Sequence, residues 1–158
     1  NYFLSVLASP VSKSNAAKAG SRFSSGDMES AADDHTLAAF ALAVICDNCR
    51  PGQIACLSCG LLPLCLNFLS DAHPLLRCWL VFCLGKLWED FEEAKAVGVR
   101  EGAHEKLCSL LSDPITEVRA AAVFSIGTLI AGSESRTTIE LNLGLTLPAV
   151  MSDASPLV

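Results

Sequence analysis

Leu76, Leu80, Cys83, Leu84 and Leu87 stand at i, i+4, i+7, i+8 and i+11, the spacing that lines apolar side chains along one face of an α-helix. Val118, Ala122, Ile126 and Leu129 lay down the same stripe one unit later. The residues around the stripes also return. Leu69-Ser70-Asp71, Arg77, Val81-Phe82 and Gly85 come back as Leu111-Ser112-Asp113, Arg119, Val123-Phe124 and Gly127, every one at the offset that separates Asp71 from Asp113. Phe40, Leu42, Ala43 and Ile45 precede Phe82, Leu84, Gly85 and Leu87 by that same offset, and Met151-Ser152-Asp153 opens a further copy. A helical unit recurring every ~40–47 residues is the mark of HEAT or armadillo repeats. The chain therefore reads as all-α: a HEAT/armadillo-type α-α superhelix, or helical solenoid, of about three and a half repeats with a period near 42.

Within each period the pattern is helix, tight turn, helix. First helices are expected over 52–69, 102–111 and 138–151, and the stripes above belong to the second helices. Leu80, Leu84, Val123, Ile126 and Leu129 are the expected core. Pro74 and Pro156 suit a first helical turn, where a missing N–H costs nothing, and the Ser-Asp pairs before them offer oxygens that close the turn. Gly85 and Gly127 each cost about 1 kcal/mol inside a helix, so both are expected at close helix contacts. Residues 9–33 are rich in Ser, Ala, Gly and Lys and read as a disordered insert loop. The chain thus divides into 1–8, the end of a first repeat helix; 9–33, the insert; and 34–158, repeats truncated at the C-terminus, the whole read as a piece of something larger. Residues 88–100 begin acidic and read as a solvated connection between repeats.

Composition narrows the function. Apolar residues make up 51% of the 158, enough for a continuous core, while charged residues are only 18% against a usual ~25%, which leaves apolar surface for other proteins to cover. A net charge of −6 opposes binding to a phosphate backbone, so nucleic acid is not an expected partner. The longest apolar windows, 36–46 and 54–66, fall short of the ~18–20 residues that cross a bilayer, which argues against direct membrane insertion. Most of the eight cysteines, among them Cys65, Cys78, Cys83 and Cys108, lie inside apolar helical patterns, and this favours a reducing, cytosolic compartment.

Candidate chemistry gives way to simpler readings. Cys46-Asp47-Asn48-Cys49 and Cys56-Leu57-Ser58-Cys59 form two C-x-x-C pairs, yet only six residues separate them where zinc sites usually have ~12–20. His104-Glu105-Lys106-Leu107-Cys108 resembles a zinc-protease motif with cysteine for the second histidine, but no third ligand follows. Glu89, Asp90, Glu92 and Glu93 fit a solvated face, and His35 and His73 fit turns or helix starts. No catalytic residue, cofactor site or metal site is assigned. Asp71 with Arg77 and Asp113 with Arg119 recur once per repeat, as a ladder of charge-assisted hydrogen bonds between neighbouring turns would. Stacking aligns those turns, and His73, Arg77, Glu117 and Arg119 are the candidate partner-facing residues.

Specific words in the chain carry a resemblance. Tyr2-Phe3-Leu4-Ser5-Val6-Leu7, Gly52-Gln53, Ala55-Cys56-Leu57, His73-Pro74-Leu75-Leu76-Arg77, Gly98-Val99-Arg100, Ala103-His104-Glu105-Lys106-Leu107, Ser109-Leu110-Leu111-Ser112-Asp113-Pro114 and Ala121-Ala122-Val123-Phe124 closely resemble the central helical-repeat region of the raptor family, regulatory subunits of target of rapamycin kinase complex 1. The likeness spans the chain except 10–33, and the insert with Cys46, Cys49 and Cys59 departs from the family pattern. It implies a non-catalytic scaffold whose partners are the target of rapamycin kinase and Rag-type small GTPases. It also implies support of substrate recruitment in nutrient signalling, and a cytoplasmic location with recruitment to the lysosome or vacuole surface. The competing readings are a HEAT-repeat adaptor of another complex and a cysteine-based zinc-binding protein.

Overall fold

The computed structural model describes residues 2–9, 25–132 and 150–158, and its regular structure is entirely helical. The helices are α1 (Tyr2–Leu7), α2 (Ser25–Cys46), α3 (Arg50–Ser58), α4 (Leu61–Phe68), α5 (Pro74–Trp88), α6 (Glu92–Arg100), α7 (Ala103–Leu110) and α8 (Thr116–Ile130). The sequence period holds for whole elements: α6, α7 and α8 begin and end one period after α3, α4 and α5. The unit is therefore three helices, two short and one long, rather than the expected pair.

Two corrections follow from this. The first helix expected over 52–69 is broken at Gly60, whose φ of +79° closes α3 and opens α4; Gly102, one period on with φ +70°, does the same between α6 and α7. A left-handed backbone is open to glycine without a steric penalty, so the chain turns here within two residues. The stretch 88–100 is not a solvated connection either. Trp88 ends α5 fully buried, and α6 buries Ala94, Lys95 and Gly98. Gly98 lies so near the Trp88 indole that a Cβ there would sit 2.9 Å from the ring. Glu92 and Glu93, which suggested solvent, occupy the first turn of α6, where the helix dipole favours negative charge.

Residues 25–33, expected to belong to the insert, form the start of α2, which begins at Ser25. Ala38, Ala39, Leu42, Ala43 and Cys46 anchor that helix in the core, and a helix once nucleated extends at low cost through residues of fair propensity. Residues 10–24 of the insert and 138–149 of the last expected first helix lie outside the described residues.

The long helices α2, α5 and α8 lie side by side, α2 against α5 and α5 against α8, while α1, α4 and α7 each pack on the long helix that follows them. Leu80, Leu84, Ile126 and Leu129 are buried between these layers. Val123 is not; it is half-buried and lines an open groove beside Phe124 and Gly127. The two helix-interior glycines also part company. A Cβ on Gly85 would lie 2.5 Å from the Phe124 ring and 2.8 Å from Ser125 Oγ, which itself donates to the Val81 carbonyl at 2.7 Å, so α5 and α8 meet at this point. Gly127 faces open space, contrary to expectation. Gly85→Ala is thus expected to lower the melting temperature, whereas Gly127→Ala is expected to raise stability by about 0.5–1 kcal/mol in urea titrations. Leu84→Ala, at a fully buried site, is expected to cost about 2–5 kcal/mol by the same measurement.

Candidate protein-interaction surface

The long helices α5 and α8 are each entered through a turn closed by an aspartate, and Asp153 closes a like turn after residue 151. Asp71 Oδ1 accepts the His73 N–H at 2.8 Å, Asp113 Oδ1 that of Ile115 at 2.9 Å, and Asp153 Oδ1 that of Ser155 at 2.9 Å. An arginine in the first turns of the helix then joins two repeats. Arg77 Nη1 donates to the Asp71 carbonyl at 2.8 Å, while its Nε and Nη2 fork onto the Asp113 carboxylate, both at 2.9 Å. Arg119 repeats the arrangement, donating to the Asp113 carbonyl at 3.0 Å and to the Asp153 carboxylate at 2.6 and 2.9 Å. The pairings expected inside a repeat, Asp71 with Arg77 and Asp113 with Arg119, run through the aspartate's carbonyl; the carboxylate contact reaches the next repeat. Planar, two-point contacts of this kind are the strong class of charged hydrogen bond.

The position one period before Arg77 is held by His35. It is buried within α2, not at a turn or helix start, with its ring edge-on to Phe68 at 6.1 Å and Nε2 3.1 Å from Ser9 Oγ. Of the candidate partner-facing residues, Arg77 is buried and its guanidinium is engaged, Arg119 and His73 are half-buried, and Glu117 is exposed. The Arg119 guanidinium, aided by the Ser155 N–H, holds the Asp153 carboxyl below the usual carboxylate range.

The other ends of the long helices repeat as well, in features the sequence reading missed. Asn48, Asp90 and Gly132, spaced by the repeat period, all have positive φ, at 49°, 53° and 72°. Asparagine, aspartate and glycine share a tolerance of the left-handed region, and that shared tolerance was the available signal. Gln53 and Lys95, again one period apart and buried, tie down the ends of α5 and α8. Gln53 Nε2 donates to the Lys86 and Glu89 carbonyls, both at 2.9 Å, and Lys95 Nζ donates to the Ala131 carbonyl and to Glu92 Oε1 at 2.7 Å. Beside them Glu89, Asp90, Glu92, Val123, Phe124 and Gly127 border an open groove of about 630 Å³.

Across the long helices runs a chain of aromatic rings. Phe40 meets Trp79 edge-on at 4.7 Å, Trp79 meets Phe82 at 5.8 Å, and Phe82 stacks on Phe124 at 5.0 Å. Lys86 Nζ lies 5.7 Å from the Phe82 ring and 5.6 Å from the Phe124 ring, and pairs with Asp47 at 2.8 Å and Glu89 at 3.1 Å.

The paired cysteines are separated by burial. Cys46 and Cys56 are buried and hydrogen-bonded to each other; Cys46 also contacts Cys83, and Cys83 contacts Cys65, so four thiols form a chain across α3, α2, α5 and α4. Cys49 and Cys59 are exposed. Contact with Cys56 favours the Cys46 thiolate, but its hydrogen bond to Cys83 and its burial outweigh this and push the thiol up to about 12. Contact with Cys46 and burial raise Cys56 further. Among the described residues no group of His, Cys, Asp and Glu has the geometry to hold a metal ion.

Comparison with known proteins agrees with this architecture. The HEAT repeat family matches residues 61–91 and 105–133. A raptor homologue of Dictyostelium discoideum is 49% identical over 94% of this chain, and a target of rapamycin complex 1 subunit of Schizosaccharomyces pombe is 36% identical over 80% of it. The chain spans 9% and 10% of the length of those two relatives. The crystal structure of Chaetomium thermophilum Raptor superimposes with a TM-score of 0.78 at 30% identity, covering 98% of this chain and 14% of that one.

The arginine forks can be tested directly. Asp113→Ala strands the buried Arg77 guanidinium and is expected to cost about 3–5 kcal/mol in chemical denaturation, whereas Asp71→Ala, which leaves the fork intact, is expected to cost far less. Because the folded Asp153 carboxyl lies below its unfolded value, its pairing with Arg119 stabilises fully above about pH 4 and is lost as pH falls through the folded value. Carbon-13 titration of the Asp153 carboxyl is expected to show a depressed midpoint that returns toward normal in Arg119→Gln.

Proposed function

The chain is a raptor-type HEAT-repeat segment, and from that premise we propose that it is a non-catalytic docking scaffold of target of rapamycin complex 1. The likeness to raptor-type sequences along nearly the whole chain, in the same fold, carries this reading. The chemistry of the molecule supports it. Of its buried charged groups, Arg77 and Asp113 join one repeat to the next and Lys95 ties α6 to the end of α8 within a repeat, which suits a stiff surface that holds partners in register. In this reading the repeats contact the target of rapamycin kinase and Rag-type small GTPases and help to bring substrates to the kinase. The protein then acts in the cytoplasm and at the lysosome or vacuole surface.

The turns at the start of α5 and α8 remain the proposed contact points, through His73 and Glu117, since the arginines beside them are occupied. Stacked turns present similar short segments in a row, and charge there steers association without a pocket. Glu117→Lys combined with His73→Ala in the full-length protein is expected to weaken binding to the kinase or to a Rag-type heterodimer by about tenfold, measured by biolayer interferometry. Unchanged affinity for both, with an unaltered melting curve, removes these turns from the interface.

A further inference from the structure

The face built by α2, α5 and α8 has more exposed apolar surface than the repeats themselves use. Leu37 is 62% exposed, Val44 57%, Leu75 51% and Phe40 41%. On α2, Asp33, Leu37, Phe40 and Val44 fall at i, i+4, i+7 and i+11, and Leu75, Trp79, Phe82 and Lys86 take the same places on α5, one period later. The ring chain from Phe40 to Phe124 joins these stripes into one surface spanning three helices. An apolar band exposed at Leu37, Phe40, Val44 and Leu75 and continued by the half-buried rings of Trp79, Phe82 and Phe124 is unusual on a protein surface and marks a place where another molecule sits.

Charge selects the molecule. Asp33 and Glu117 stand exposed at the starting ends of the stripes, and Asp47, Glu89 and Asp90 stand at the finishing ends, about 20 Å away along the helix. The nearby bases are Lys86, paired with Asp47 and Glu89, Lys95 with Glu92, Arg119 with Asp153, and Arg50, exposed at the finishing end and bonded to the Asp90 carbonyl. At the finishing end the carboxylates of Asp47, Glu89, Asp90 and Glu92 outnumber Arg50, Lys86 and Lys95, and at the starting end Asp33 and Glu117 make no ion pair among the described residues, so both edges keep a net negative charge. A second copy of this chain, with net charge −6 and the same edges, and an anionic bilayer are both repelled by such a surface.

We propose that this face seats a segment of another protein in which apolar side chains are flanked at both ends by lysine or arginine. About six extended residues bridge the two acidic edges at roughly 3.3 Å each. The proposal rests on the reading of the chain as a docking scaffold and names the chemistry of one thing that docks.

The test uses the full-length protein and fluorescent synthetic peptides with alternating leucine and phenylalanine between pairs of lysines, or between pairs of glutamates. Fluorescence anisotropy is expected to show saturable binding of the lysine-flanked peptide that weakens as salt rises, with little binding of the glutamate-flanked one. Leu37→Ser with Phe40→Ala is expected to raise the dissociation constant by about tenfold, and Asp33→Asn with Asp90→Asn by several-fold while flattening the salt dependence. If the first pair lowers the melting temperature, Val44→Ser, at a site more exposed than Phe40, replaces it. Equal binding of the two peptides, or an unchanged dissociation constant in folded variants, overturns the proposal, as does self-association or binding of phosphatidylcholine vesicles through the same residues. Co-purification of the kinase is measured in parallel. Retained kinase with no peptide binding rejects this face alone, and loss of kinase from the unsubstituted protein rejects the scaffold reading.

Discussion

A long helix in this molecule has no second face of its own repeat to lie against. The short helices α3 and α4 cover one side of α5; its flanks are covered by α2 before it and α8 after it, with α6 against its last turn. Burial of the apolar stripe on α5 is therefore shared among repeats, and the spacing of the long helices becomes the quantity on which the rest depends. Gly85 keeps α5 and α8 close enough for Ser125 to bond the Val81 carbonyl. Gly98 performs a similar service against Trp88, letting α6 settle under the end of α5. Close packing of this kind transmits position from one repeat to the next with little slack.

Buried charge is costly unless nearly every donor finds an acceptor, and the turns meet that condition. Arg77 directs two nitrogens at the Asp113 carboxylate and a third at main-chain carbonyls, while the carboxylate also holds the Ile115 N–H. The charged residues of the turns are thus structural, and so are the buried thiols Cys46 and Cys83, which hydrogen bonds to neighbouring thiols and burial together push up. The surfaces proposed to meet other proteins, the exposed turn at Glu117 and the aromatic face, lie apart from these internal contacts. That division suits a scaffold.

Much of this was legible in the residues because period, stripe and turn chemistry each leave local marks. The repeat step located α5 and α8, and Asp71, Arg77, Asp113 and Arg119 were visible as a recurring set. The partners of the arginines were not, because a guanidinium on a long stem reaches a neighbouring repeat that no single stretch of sequence shows. The triple-helix unit was hidden for a different reason. Two short helices joined by Cys59 and Gly60 look like one apolar run of helical length, and only the backbone angle at Gly60 separates them. Val123 and Gly127 share the register of buried neighbours, but α8 turns that edge toward an open groove. Gln53 and Lys95 differ in kind while doing the same work, so similarity of letters could not reveal it.

The two arginine-to-aspartate links point the same way along the chain: Arg77 donates forward to Asp113, and Arg119 forward to Asp153. His35, one period before Arg77, makes no such link, so among the described residues the series runs from Arg77 to Asp153. Such an array behaves like a one-way polymer with identical couplings. Whole units can be added or removed in evolution with every coupling remade, whereas a fractional insertion leaves one guanidinium without its acceptor. Selection on the interior therefore acts on repeat number in integers and leaves the outward faces free to diverge between copies.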